Sequence, residues 1–224
     1  MELQQIELNE EQFKANRFEL VSRLADDLAH EIKNPLNAIV INLEVLRVRV
    51  TRGDEKGALE RAAVIELEAR RLHVLVDRML QLLRPAREEA SGLALDQVLE
   101  EILPLVEAQA RIARNHFSSS CAAPVFVPVR RDVFKFAALN LFTAVHVRLG
   151  EGGGSLDIDC VADADFVRVN VRALPFDDAP ALPAPDAAFD QAVQVAAGLL
   201  APCGGRVLVE PDGAAILLPR GASV

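Results

Sequence analysis

Residues 24–39 read LADDLAHEIKNPLNAI, and their spacing decides how the N-terminal part of the chain folds. Leu24, Leu28, Ile32, Leu36 and Ile39 recur at intervals of three and four, and Leu20, Leu43 and Leu46 extend the run. That period belongs to a helix with one apolar side. At about 100° per residue, His30 falls nearly opposite the leucines, at roughly 240° from Leu24. Asp26, Lys33, Asn34 and Asn37 share that outer half, so the pattern predicts a solvent-facing histidine among polar groups. Pro35 removes a backbone donor one turn after His30, and a bend exposing a carbonyl beside the site is expected there.

Moving outward, Leu59, Ala62, Ile65, Ala69, Leu72, Val76, Met79 and Leu83 repeat the helical period, and TRGDEKG at 51–57 separates the two runs. The prediction is an antiparallel two-helix hairpin. A lone hairpin cannot cover both apolar stripes, so two copies are expected to pair as a homodimeric four-helix bundle. Ile41 and Val45, just past the histidine, face either that dimer seam or another partner.

The texture changes at LLRPAREEASG, residues 82–92. Residues 93–113 predict a strand start and a helix with Pro104 as an interruption, and residues 132–149 predict a second helix. SLDIDCVAD and FVRVNVRA alternate about a short turn, as a hairpin does. Four prolines in LPFDDAPALPAPDAA predict a loop, DQAVQVAAGLL a helix, and RVLVE and AAILLP a final hairpin. The economical assembly is helices on one face of a largely antiparallel sheet. The fold class is therefore α+β, with domains at 1–88 and 89–224.

Charge and cysteine usage remove several classes of function. A net charge of −9 argues against nucleic acid or anionic lipid as a partner and favours protein. Cys121, Cys160 and Cys203 are odd in number and widely spaced, which predicts reduced thiols and neither a disulfide framework nor a zinc site. The N-terminus MELQQIELNEEQFK is acidic where a secretory signal is basic, and no apolar run approaches a membrane span. A cytoplasmic protein without a membrane segment is expected.

Histidine followed by glutamate on a helix serves several chemistries. A zinc protease needs a second histidine where this chain has Asn34. An exposed histidine with no task is the plain alternative. His73 reads as a surface residue of the bundle, and His116 and His146 have no constellation around them.

HEIKNPLNAI, on the first helix of a hairpin, closely resembles the phosphoacceptor box of dimeric bacterial sensor histidine kinases. The resemblance implies that His30 is phosphorylated on a ring nitrogen, that Glu31 orients or deprotonates the imidazole, and that Asn34 supports dephosphorylation of a response-regulator receiver domain. Histidine titrates near neutral pH, which suits an imidazole that must be neutral to accept a phosphoryl group.

The second half resembles the family's ATP-binding domain, an α/β sandwich, in its long helix at 132–149 and in CGGRVLVEPDGAAILLP. The nucleotide boxes depart from it. With Asn140 as the family's first asparagine, the magnesium position is Ala144; with the register set from the following glycines, it is Thr143. Arg172 and Ala173 stand where the adenine-recognising aspartate is expected, and Asp177 and Asp178 come too late. The glycine-rich phosphate loop is replaced by a proline-rich segment, and prolines offer no N–H groups to phosphate. GEGGG at 150–154 lacks the Lys and Ser/Thr of a P-loop and reads as a turn. The implied function is a histidine phosphotransferase of a phosphorelay, with a degenerate ATP domain and no cofactor or metal of its own. The competing readings are a pseudokinase adaptor, a regulator phosphatase and a divergent sensor kinase.

Overall fold

The computed structural model describes the backbone of residues 10–83, 93–121 and 125–221. Within the helical hairpin, side chains are described at Ala29, from Ile32 to the end of the first helix, and along the second helix except at 75, 78, 79 and 81–83. The N-terminal MELQQIELN and the 84–92 part of the LLRPAREEASG segment lie outside the described residues. The chain divides into two compact units, one within Ser22–Arg84 and the other within Pro85–Val224.

Helix α1 spans Glu10–Thr51 and α2 spans Glu55–Leu83. α1 continues through Pro35, which is buried and supplies no N–H to the carbonyl of Glu31 one turn back. The turn between the helices follows from three residues. Gly53 takes φ 70°, a left-handed conformation that ends α1. Asp54 then caps α2, accepting from the Gly57 N–H at 2.9 Å, and Arg49 Nη1 donates to the same carboxylate at 2.5 Å. The Gly57 hydrogen bond, and then the Arg49 contact, hold Asp54 below the usual carboxylate range. Across the hairpin, Arg61 Nη1 donates to Asn42 Oδ1 at 3.3 Å, and Asn42 Nδ2 donates to the Ala38 carbonyl at 2.8 Å.

The second unit is layered. Its main sheet has five strands in the order β2-β4-β5-β7-β6, from β2 (His116–Cys121), β4 (Gly154–Ala162), β5 (Phe166–Pro175), β6 (Arg206–Glu210) and β7 (Gly213–Pro219). β2 runs parallel to β4, and the other pairings are antiparallel. The two-residue strands β1 (Leu93–Ala94) and β3 (Phe126–Val127) pair separately. Helices α3 (Leu95–Ile112), α4 (Arg131–Leu149) and α5 (Ala187–Leu200) complete the unit.

Strand alternation sorts the sheet's two faces. Leu156, Ile158, Val167, Val169, Val171, Ile216 and Leu218 are buried on the side that meets the helices. α4 lies in the middle of the helical layer, against α3, α5 and the sheet, and buries Phe134, Phe136, Leu139 and Phe142. Each such aromatic contributes about 1.5–3 kcal/mol by leaving water. The other face of the sheet is polar. There Asp159 accepts from Arg172 Nη2 at 2.5 Å and from Asn170 Nδ2 at 2.7 Å, and Arg168 reaches Asn170 and Glu210.

Two features differ from the sequence reading. α3 passes through Pro104 without interruption, because Val98, Leu99, Ile102, Leu105 and Val106 bury one face around it. Packing of that face offsets the hydrogen bond the proline removes. β2 was not predicted at all: HFSSSC has no alternation, since an edge strand with largely exposed serines needs none. GEGGG is a turn, as expected. Gly150 ends α4 at φ 72°, and at Gly154 a side chain would meet the Leu174 carbonyl oxygen at 2.1 Å. Asn115 holds this turn by donating to the Gly150 carbonyl at 2.6 Å.

Candidate functional site

His30, Glu31 and Asn34 all lie on α1, within the unit Ser22–Arg84. His30 and Asn34 are four residues apart, the spacing that puts two side chains on one helix face. Asn34 is exposed, as are its neighbours Lys33 and Asn37. The side chains of His30 and Glu31 lie outside the described residues, as do those of Asp26, Leu24 and Leu28.

The apolar stripe that defines the other side of α1 is only partly covered within one chain. Leu36 is 43% exposed and Leu43 42%, while Ile32 and Ile39 are half-buried. Ile41 is exposed and Val45 half-buried, and on α2 Leu59 and Leu67 stand open. His73 is a surface residue paired with Asp77 at 3.3 Å.

In the second unit, the positions that the family resemblance marked for nucleotide are occupied differently. Asn140 is buried in α4 and donates to the Phe136 carbonyl of its own helix at 2.8 Å. Thr143 is buried, and its hydroxyl donates to Gln109 Oε1 of α3 at 3.3 Å. Ala144 carries no ligand atom in its side chain. Ala173 is fully buried in β5, and Arg172, beside it, is spent on Asp159. β5 keeps pairing with β4 as far as Pro175 opposite Gly154, and Asp177 and Asp178 follow in the exposed segment beyond.

Arg148 does work that its sequence position did not announce. It is 8% exposed at the last turn of α4, and its guanidinium donates to the Pro183 carbonyl at 2.9 Å and the Pro211 carbonyl at 3.3 Å. The same group stacks over the Phe189 ring at 4.9 Å. Arg148 thereby straps the proline-rich segment down beside α5, whose first turn is capped by Asp186 accepting from the Phe189 N–H at 2.8 Å. Among the described residues, no three of His, Cys, Asp and Glu gather where they could hold a metal ion. No helix among them is long and apolar enough to cross a membrane.

Residues 20–88 match the His Kinase A (phospho-acceptor) domain family, and the match contains His30, Glu31 and Asn34. Over 151 residues the chain is 26% identical to Sporulation kinase D of Bacillus subtilis (strain 168), covering 66% of this chain and 29% of that protein. Over 149 residues it is 31% identical to sensor histidine kinase ZraS of Klebsiella oxytoca, covering 65% of this chain and 32% of that protein. Residues 20–88 belong to the His Kinase A (phospho-acceptor) domain family, and the chain is similar to two-component histidine kinases. Its matches span under a third of the length of these curated relatives. Among solved structures, the catalytic domain of histidine kinase ThkA is similar at 17% identity and a TM-score of 0.46, covering 59% of this chain and 96% of that one. The chain thus has a two-helix hairpin of the His Kinase A type followed by an α/β layered unit.

Proposed function

We propose that this histidine kinase relative is a phosphorelay protein: a histidine phosphotransferase in which His30 accepts a phosphoryl group from one receiver-domain aspartate and donates it to another. Residues 1–88 form the dimerisation and phosphoacceptor domain, and residues 89–224 a kinase-type domain that no longer uses ATP. The protein works in the cytoplasm as a homodimer.

The observation that carries this reading is the contrast between an intact HEIKN box and a second unit whose marked positions do not fit a nucleotide with its magnesium. Ala144 has no side-chain oxygen to offer, and the Thr143 hydroxyl is engaged with Gln109. A methyl group stands at Ala173, and a strapped proline-rich segment replaces a loop of free N–H groups. The half-covered Leu36 and Leu43, with Leu59 and Leu67, supply the apolar surface that a second hairpin would bury.

In the transfer, a ring nitrogen of His30 attacks phosphorus and the bond from phosphorus to the regulator's aspartyl oxygen breaks. Glu31 orients the imidazole and takes the ring proton, and the aspartate leaves as a carboxylate. The regulator supplies the cation that neutralises the transferring group. Asn34, one turn on, orients a water in a separate hydrolytic reaction, in which that water attacks the regulator's aspartyl phosphate and the aspartate leaves as a carboxylate.

A second reading, a kinase with divergent ATP contacts, draws on the relatives being named as kinases. Incubation with radiolabelled ATP alone, and separately with a radiolabelled phospho-regulator, separates the two. Label on the wild type from the regulator only, absent in His30→Ala, is the expected result. Label on His30 from ATP alone overturns the relay and restores the kinase. Tight regulator binding without any label assigns an adaptor instead, and regulator hydrolysis lost in Asn34→Ala assigns a phosphatase.

A further inference from the structure

The three cysteines look unrelated in sequence, yet two of them are brought together by the sheet. Cys121 ends β2, and its Cα partner across the parallel ladder is Cys160 of β4. Paired positions on neighbouring strands project their side chains to the same face, from backbones about 4.8 Å apart. That separation lies inside the span of roughly 4.4–6.8 Å between Cα atoms that a disulfide bridges. Each thiol is close enough to shift the proton affinity of the other. They differ in access: Cys121 is exposed on the edge strand, whereas Cys160 is buried.

The pair is chemically asymmetric as well. The hydrogen bond from Cys160 holds the Cys121 thiol below the ordinary thiol range, against the opposing effects of burial and of Asp159 and Asp96. The same contact, followed by burial, pushes Cys160 up. An accessible thiol with enhanced thiolate character, beside a protonated partner, is the arrangement in which one sulfur reacts with an oxidant and the other resolves it. Cys203 is different, since its thiol donates to the Leu200 carbonyl at 2.9 Å and burial raises its pKa.

We propose that Cys121 and Cys160 are a redox-active pair that forms a reversible intrachain disulfide when the protein meets a hydroperoxide. The Cys121 thiolate attacks the peroxide, the O–O bond breaks, and Cys121 becomes a sulfenic acid as water or an alcohol leaves. The Cys160 sulfur then attacks the Cys121 sulfur. The S–S bond forms, the S–O bond breaks, and the oxygen departs as water with the Cys160 proton. The two thiols give up two electrons and the peroxide receives them. A dithiol reductant reverses the change. The bond ties the end of the edge strand β2 to β4.

The test treats the full chain with hydrogen peroxide, alkylates the remaining thiols under denaturing conditions and maps the peptides by mass spectrometry. The expected result is a linked Cys121–Cys160 peptide pair, loss of two of the three free thiols and an alkylated Cys203, all restored by dithiothreitol. In Cys160→Ala, Cys121 is then trapped as a sulfenic acid by dimedone. In Cys121→Ser, Cys160 stays reduced; this variant changes an exposed position, so it keeps the test informative if Cys160→Ala fails to fold. Recovery of both cysteines fully alkylated after peroxide overturns the proposal. So does a Cys121 link to another chain or to Cys203 in place of Cys160.

Discussion

The two units of this chain place their apolar side chains in opposite ways. In the hairpin, Leu36, Leu43, Leu59 and Leu67 remain substantially open to solvent within one chain. In the second unit, α4 buries Phe134, Phe136, Leu139 and Phe142 almost completely. The chemistry divides in the opposite sense. The hairpin carries the HEIKN residues in one unbroken stretch of the matched phospho-acceptor domain, whereas the better-packed unit holds alanine at 144 and 173 and a threonine at 143 engaged with Gln109. Packing asks only for apolar volume in the right place, so a well-filled core does not by itself specify any ligand-binding group.

Substitutions in the two regions should therefore fail differently. The largest effect is expected from Phe142→Ala, which leaves a cavity in the middle of the second unit and costs about 3–5 kcal/mol, measured by urea unfolding. A loss under about 1 kcal/mol would mean that this core relaxes freely and that the contrast between the units is overstated. Next comes Leu43→Glu on the hairpin, which is expected to weaken self-association by tenfold or more in analytical ultracentrifugation, since a carboxylate would be buried against an apolar stripe. Unchanged association would remove Leu43 from the seam.

Arg148→Met comes third. It keeps the bulk over Phe189 but removes the hydrogen bonds to Pro183 and Pro211, and a loss of about 1–3 kcal/mol with faster proteolysis inside 176–186 is expected. Equal cleavage rates in variant and wild type would show that the prolines hold the segment by themselves. The smallest effect belongs to Glu101→Gln. Burial raises the Glu101 pKa, but hydrogen bonds from Arg131 and Lys135 outweigh it and leave the net value below the ordinary 4.5. Such a carboxylate stabilises the fold above its unfolded pKa and loses that contribution as pH falls through the lower folded value. The variant should be destabilised at pH 7 by about 1 kcal/mol or less, because the pair is partly solvated and screened. The difference should shrink below pH 4.5 in thermal melts. A gap that stays constant with pH would assign the effect to packing.

Much of the architecture was legible in advance because it rests on local periods. The helical spacing around residues 24–39 and 59–83, the alternation in 155–173 and the turn residues near 53 and 212 each specify their element without reference to the rest of the chain. The box at His30 was legible for the same reason, since its residues are contiguous on one helix. The edge strand β2 was not, because its exposed serines carry no period and its existence depends on β4 lying beside it. Nor was the continuity of α3 through Pro104, which depends on the layer it packs against.

The sequence by itself determined the hairpin, the α+β succession and the identity of the groups at His30, Glu31 and Asn34. Tertiary structure alone decided which distant residues meet: Thr143 with Gln109, Arg148 with the carbonyls of Pro183 and Pro211, and Cys121 with Cys160. The physical reason is range. A helix or strand period is written in neighbours a few positions apart, whereas a contact across 39 residues exists only once the sheet has set the strand order and register.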